Sequence, residues 1–105
     1  MSKKEFENRN NAGNPIVIRF ISDFLFCCSD ISIQLMKIYT EGYCYYFAKM
    51  LLDTFQRGRL VVDREAAHVA WKDVDGKIYD ITGFRKTGNF ESVPDSYFRK
   101  FTKAA

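Results

Sequence analysis

Three residues of the chain carry the side chains of a nucleophilic cysteine site: Cys44, His68 and Asp80. A thiol attacks as a thiolate, and the dipole and free N–H groups of a helix N-terminus lower the pKa of a cysteine placed there. A neighbouring histidine can accept the thiol proton and later deliver a proton to a leaving group. A carboxylate behind the imidazole fixes its tautomer and stabilises its cation. The three residues are therefore the candidate nucleophile, general base and acid, and orienting carboxylate.

Cys44 lies near the start of a predicted amphipathic helix, for which the expected range is 40–57. A glycine just past the last turn, Gly58, is typical of a helix end. Apolar residues recur at steps of three and four, which places Cys44, Phe47, Ala48, Leu51, Leu52 and Phe55 on one helical face. Membership of this face leaves a second interpretation open, in which Cys44 is a buried structural thiol.

The surroundings of the candidate nucleophile predict a substrate and oxyanion region formed by Gly42, Tyr43 and Trp71. Free amides at the head of the helix, including that of Cys44, could hold a developing oxyanion. Gly42, two residues ahead of the cysteine, would let a substrate backbone approach closely.

The segment HVAWKDVDGKIYDITG, residues 68–83, predicts a β-hairpin with two possible registers. A two-residue turn at the Asp-Gly pair would make both faces chemically mixed. A three-residue loop over 74–76 shifts the partner strand by one residue and pairs Trp71 with Tyr79 on an apolar core face. The second register is preferred, because it separates an apolar face from a face that carries the histidine and the aspartate. The residues of that second face are His68, Ala70, Asp80 and Thr82.

The N-terminal part of the chain predicts an arm followed by helices. Residues 1–14 are charged and rich in asparagine, which predicts a flexible N-terminal arm and leaves 15–105 as a single compact domain. Helices are expected over 15–27 and 30–39, the second capped by Ser29 or Asp30.

The C-terminal part predicts the strands on which these helices pack. Strands are expected over 59–63, 68–73 and 77–82, followed by a loop over 84–93 and a short closing helix from Pro94. The predicted fold class is α+β, with N-terminal helices and a central Cys-bearing helix packed on a small antiparallel sheet.

Short motifs around the three candidate residues resemble the transglutaminase-like branch of the papain-like cysteine hydrolases. GYCYYFA matches the Gly-x-Cys-x-x-Phe-Ala pattern of that family, and HVAW followed by DGKIYD resembles its histidine and aspartate strands. The resemblance covers about 41–83 and implies a papain-like core, with Cys44 as nucleophile, His68 as general base and acid, and Asp80 as orienting carboxylate. Ile38 stands where a papain-like enzyme keeps an oxyanion-donating glutamine.

Composition limits the compartment and the partners. The chain has 105 residues and 47% hydrophobic content, enough for one core, and a net charge of +3, too small to favour nucleic acid. No stretch approaches the length of a membrane span, and the polar start does not predict a signal peptide. Three cysteines make a poor disulfide framework, so a reducing, cytoplasmic location is expected. Neither a cofactor nor a zinc site is expected, since the cysteines lack zinc-ligand spacing.

Two functions from different classes follow from these observations. The first is a small cysteine hydrolase or amidohydrolase that acts on an amide or related acyl bond of a peptide or protein substrate. The second is a catalytically silent binding or inhibitor protein of phage or mobile-element type, which uses the same minimal fold to engage a host protein. Reactivity of Cys44 separates them, because a binding protein has no need of a low-pKa thiol.

Overall fold

The computed structural model describes residues 1–27 and 32–102. The predicted caps Ser29 and Asp30 lie outside the described residues, as does Cys28. Among the described residues, no helix combines the length and apolar character needed to cross a membrane.

In the described residues before Arg59 the chain forms four helices, and each of the first two begins at a recognisable cap. Ser2 and Glu5 form a capping box at the first helix, and Asn14 accepts the N–H groups of Ile16 and Val17 ahead of Pro15 at the second. The helices are α1 Lys3–Arg9, α2 Pro15–Leu25, α3 Ser32–Glu41 and α4 Cys44–Phe55. The helix predicted over 15–27 thus ends two residues early, and the one predicted over 40–57 begins only at Cys44.

The second half of the chain forms a five-stranded antiparallel sheet followed by a closing helical segment. The strands are β1 Arg59–Asp63, β2 His68–Lys72, β3 Ile78–Asp80, β4 Gly83–Arg85 and β5 Glu91–Ser92, in the spatial order β4-β3-β2-β1-β5. A 3-10 turn, Asp95–Phe98, leads into α5 Arg99–Thr102. The predicted α+β class is confirmed, whereas the loop predicted over 84–93 contains most of β4 and all of β5.

The hairpin between β2 and β3 adopts the preferred register. Trp71 lies opposite Tyr79, and the Asp73 N–H donates to the Lys77 carbonyl at 2.8 Å across the three-residue loop. Gly76 in that loop has a φ of +90°, which glycine adopts without strain. Trp71 and Tyr79 are fully buried in the core, as predicted, and α4 packs on this part of the sheet.

The flexible arm predicted at residues 1–14 does not agree with the structure. This segment contains α1, and Phe6 of that helix is only 1% exposed within the core cluster. Asn10 donates from Nδ2 to the Phe6 carbonyl at 2.8 Å and accepts the Phe84 N–H at 2.9 Å, while the Asn14 N–H donates to the Tyr79 hydroxyl. One buried aromatic and a few long-range hydrogen bonds fix a segment whose composition is otherwise polar.

Because Asn10 holds the N-terminal segment to the sheet, the variant Asn10→Ala should be less stable than the parent. The change leaves the partly buried Phe84 N–H without its acceptor, so we expect a cost of about 1–3 kcal/mol in the free energy of unfolding. Urea denaturation measures it. Asn11→Ala, at the exposed neighbouring asparagine, is the matched control and should stay within about 0.5 kcal/mol of the parent. Equal stability of the two variants would show that the segment is not held as described.

Candidate active site

Cys44 is the first residue of α4, and its sulfur meets the sheet where the pairing of two strands ends. The β2–β3 ladder pairs Trp71 and Lys72 with Tyr79 and Ile78, so Val69 lies beyond its end. The Val69 N–H donates to Cys44 Sγ at 3.4 Å. Cys44 is 7% exposed, and Tyr43 caps the helix without a side-chain hydrogen bond. The thiol therefore lies at the N-terminal end of a helix, among backbone N–H groups.

His68 and Asp80 form a buried hydrogen-bonded pair next to this thiol. The distance between His68 Nε2 and Asp80 Oδ2 is 2.7 Å, and both side chains are more than nine-tenths buried. His68 is also close enough to the Cys44 thiol for the two groups to shift each other's pKa. Because Nε2 of His68 is bonded to Asp80, Nδ1 is the ring nitrogen that is available to the Cys44 sulfur. The structure thus brings the three predicted catalytic side chains together in the order thiol, imidazole, carboxylate.

The carboxylate of Asp80 is fixed by further donors at both oxygens. Oδ1 accepts the Thr82 N–H at 2.8 Å and the Thr82 hydroxyl, and the Arg85 guanidinium lies 3.3 Å from Oδ2. Burial by itself raises the pKa of Asp80, but hydrogen bonds from His68 and Thr82 and the charge of Arg85 outweigh it, so the pKa lies below its usual value. Asp80 is therefore ionised at neutral pH and oriented toward His68.

Neighbouring hydrogen-bond partners set the protonation of the other two groups. The hydrogen bonds to Asp80 and then to Cys44 raise the pKa of His68 to about 9. Burial raises the pKa of the Cys44 thiol, but hydrogen bonds from His68 and from the amides of Val69 and Tyr45 outweigh it and lower the pKa overall. These opposite shifts favour a thiolate–imidazolium pair, the charged state that a nucleophilic cysteine requires.

The predicted substrate and oxyanion region is only partly consistent with the structure. Tyr43 is 55% exposed beside the cysteine, and a side-chain carbon built on Gly42 would meet nothing within 4 Å, so the backbone there is open to a ligand. Trp71 is fully buried and donates its indole N–H to the Arg57 carbonyl at 2.8 Å. We therefore withdraw Trp71 from this region, because its ring belongs to the core.

Two residues near the candidate site were missed by the sequence analysis. Arg85 contacts Asp80, and the Phe90 ring lies with its centroid 6.1 Å from that of His68. Both fall in the segment predicted as loop. For Arg85 the available signal was the turn at Ile81 and Thr82, since a tight hairpin after Asp80 brings the next strand back beside it and pairs Arg85 with Ile78.

Other clusters of charged side chains in the described residues serve structure. Arg57 binds Asp73 through two hydrogen bonds of 2.7 and 3.1 Å, next to the hairpin loop. No group of three or more His, Cys, Asp or Glu side chains within residues 1–27 and 32–102 is arranged to hold a metal ion. The triad is therefore the feature of this region with the clearest chemistry.

The fold and the site together define a small α+β protein in which a buried thiol, an imidazole and a carboxylate lie next to one another. The family model described as Phage YunG-like protein matches residues 17–103. The chain therefore belongs to the Phage YunG-like family. No curated protein and no solved structure matches it.

This finding corrects the family assignment made from short motifs. The resemblance to transglutaminase-like and papain-like hydrolases was wrong, because the family match that spans most of the chain is to Phage YunG-like proteins. The motifs covered only about 41–83. A glycine before a helix and a strand pair with alternating residues recur in unrelated folds, so they do not identify a family.

Proposed function

We propose that this phage-type protein uses Cys44 as a nucleophile in acyl transfer or hydrolysis at an amide or related acyl bond. The observation that carries the proposal is the convergence of Cys44, His68 and Asp80: His68 Nε2 lies 2.7 Å from Asp80 Oδ2, and Cys44 and His68 are close enough to shift each other's pKa. Three unlike side chains from α4, β2 and β3 converge there, and the pKa directions of Cys44 and His68 match the thiolate and imidazolium roles.

The chemistry proceeds in two steps. The Cys44 thiolate attacks the carbonyl carbon of the substrate, a C–S bond forms, and the bond to the leaving group breaks as the His68 imidazolium donates its proton to that group. Neutral His68 then takes a proton from water, which attacks the thioester, breaks the C–S bond and releases the acid and the thiolate. Asp80 holds the imidazole in place and stabilises its cation in both steps.

The test is acylation of the protein by p-nitrophenyl acetate, followed by mass spectrometry of the peptide that contains Cys44. We expect an acetyl adduct on Cys44 at neutral pH and none on that peptide in Cys44→Ser. The part of the nitrophenol release that is lost in Cys44→Ser should fall at acidic pH, because the thiolate is then protonated.

Cys27 provides an internal comparison for this experiment, since it is exposed whereas Cys44 is buried. Its replacement by serine should leave the adduct on Cys44 unchanged. An adduct confined to Cys27, or nitrophenol release that is the same in Cys44→Ser, would contradict the proposal.

The second candidate function is a binding protein without catalysis, the alternative that the family match favours. A specific feature of the surface supports it. Helix α3 contains no buried residue, and large apolar side chains on α3 and at the head of α4 are exposed: Ile33, Ile38, Tyr43 and Tyr46. The rings of Tyr43 and Tyr46 lie with their centroids 5.8 Å apart, and adjacent exposed apolar groups of this kind mark protein interaction surfaces. This candidate predicts no acylation, and tight association with a protein partner that Ile33→Lys weakens.

A further inference from the structure

Four side chains at the candidate site contact one another in a closed ring. Asp80 binds His68 at 2.7 Å, the ring centroids of His68 and Phe90 are 6.1 Å apart, and the Arg85 guanidinium lies 5.8 Å from the Phe90 centroid. Arg85 closes the ring through its contact of 3.3 Å with Asp80. Phe90 meets the imidazole at 63°, an edge-to-face arrangement. One aromatic ring thus covers His68 and is itself held by the residue that binds the carboxylate.

The loop that precedes Phe90 is exposed and makes few contacts with the rest of the protein. Residues 86–89 are exposed, and the Asn89 N–H donates to Asp63 Oδ2 at 3.3 Å. Gly88 has a φ of +123°, and a side-chain carbon built there would lie 2.5 Å from the Phe90 ring, so only glycine lets the ring fold back onto its own loop. The loop is therefore built to place Phe90 against His68.

Space for the ring to move lies directly beside it. A cavity of about 310 Å³ is lined by Phe90 and its neighbours Asn89 and Glu91 on one side, and by 63–65 on the other. Asp63 pairs with His68 across the β1–β2 ladder, so this cavity adjoins the catalytic histidine. A modest rotation of Phe90 would carry the ring from the imidazole into this cavity.

We propose that Phe90 determines which molecules reach Cys44 and His68, and that Arg85 is the positioning residue that holds Phe90 over the imidazole. This inference rests on the proposed function of Cys44. In the closed position the ring excludes bulky groups from the thiolate–imidazolium pair, whereas water and small acyl groups pass. The site is then selective for acyl groups with little bulk next to the reacting carbonyl.

The experiment compares two reagents with the same electrophile and different size: iodoacetamide and 5-iodoacetamidofluorescein. The ratio of their rates of alkylation at Cys44 cancels changes in thiolate population, so it reports access alone. Wild-type protein should strongly favour iodoacetamide. Phe90→Ala should lower that preference about tenfold, the scale expected when one aromatic and one cation–π contact are lost. Arg85→Gln should lower it less, because the ring remains but is no longer held.

Two further variants separate size from charge and guard against misfolding. Lys86→Gln removes the same charge as Arg85→Gln from the adjacent exposed position and should leave the ratio unchanged. Phe90→Leu keeps an apolar side chain in place and should give an intermediate ratio in a protein with near-normal thermal stability. Normal labelling with a ratio that Phe90→Ala does not alter would overturn the gate and leave the nucleophile intact. Absence of labelling in every variant, Phe90→Ala included, would overturn both.

Discussion

Iodoacetamide should alkylate Cys44 in the folded protein at pH 6 to 7, faster than it alkylates the more exposed Cys27. The reason is the lowered pKa of the Cys44 thiol, which the His68 imidazolium and the amides of Val69 and Tyr45 bring about against the effect of burial. Thiolate is the reacting species, so its population at this pH sets the rate. Mass spectrometry of the peptides that contain Cys44 and Cys27 measures the two rates.

Variants of His68 and Asp80 show how much of the Cys44 labelling rate depends on the imidazolium charge and how much on its orientation. His68→Ala removes the imidazolium and should slow labelling of Cys44 at pH 6.5, since loss of its hydrogen bond and charge raises the thiol pKa and lowers the thiolate population. Asp80→Asn should slow it less, because the imidazole remains and only its orientation and charge stabilisation are weakened. The control is the rate at Cys27, which neither variant should change.

The opposite result is expected if Cys44 is a buried structural thiol. A thiol that only fills space on the α4 core face would resist iodoacetamide until the protein unfolds, and its rate would not respond to His68→Ala. Such an outcome would favour the binding protein over the acyl-transfer protein.

Replacement of Trp71 by alanine should cost about 3–5 kcal/mol in the free energy of unfolding, the usual range for truncation of a buried aromatic. The indole ring is fully buried, lies 5.5 Å from the Phe55 ring and 5.6 Å from that of Tyr79, and donates its N–H to the Arg57 carbonyl. Truncation would therefore leave a cavity between α4 and the sheet and one unpaired carbonyl. Urea denaturation at pH 7 measures the loss.

Two further variants show what contributes to the stability cost of Trp71→Ala. Trp71→Phe keeps most of the ring packing and loses the hydrogen bond to Arg57, so its cost should lie between those of the parent and of Trp71→Ala. Tyr43→Ala truncates an exposed aromatic and should stay within about 1 kcal/mol of the parent. Near-normal stability of Trp71→Ala would contradict the register in which Trp71 and Tyr79 share the core face.

The sequence by itself determined the hairpin and the side chains that meet across it. Side chains alternate along a strand, so the segregation of Trp71 and Tyr79 from His68 and Asp80 fixed the register in advance. Apolar spacing likewise placed Cys44 on the inner face of a helix, although α4 begins only at that residue. These features depend on local periodicity, and the structure confirms the register and the helix.

Contacts between distant segments were decided by the tertiary structure alone. Phe6 and Asn10 fix an N-terminal segment whose composition predicted a flexible arm, because one buried aromatic and hydrogen bonds to β3 and β4 outweigh its polar average. Trp71 could belong to the site or to the core by residue type, and packing against Phe55 decided for the core.

The surroundings of the three candidate residues were mostly decided by the tertiary structure. A tight turn after Asp80 could indicate that the next strand returns beside it and brings Arg85 close. Phe90 lies beyond that strand in a stretch without clear periodicity, so no local pattern placed it near His68. The positions of both residues depend on the pairing of β3 with β4 and on the conformation of Gly88, which only the folded chain defines. Local pattern thus specified which side chains share a face, and long-range packing specified what covers them.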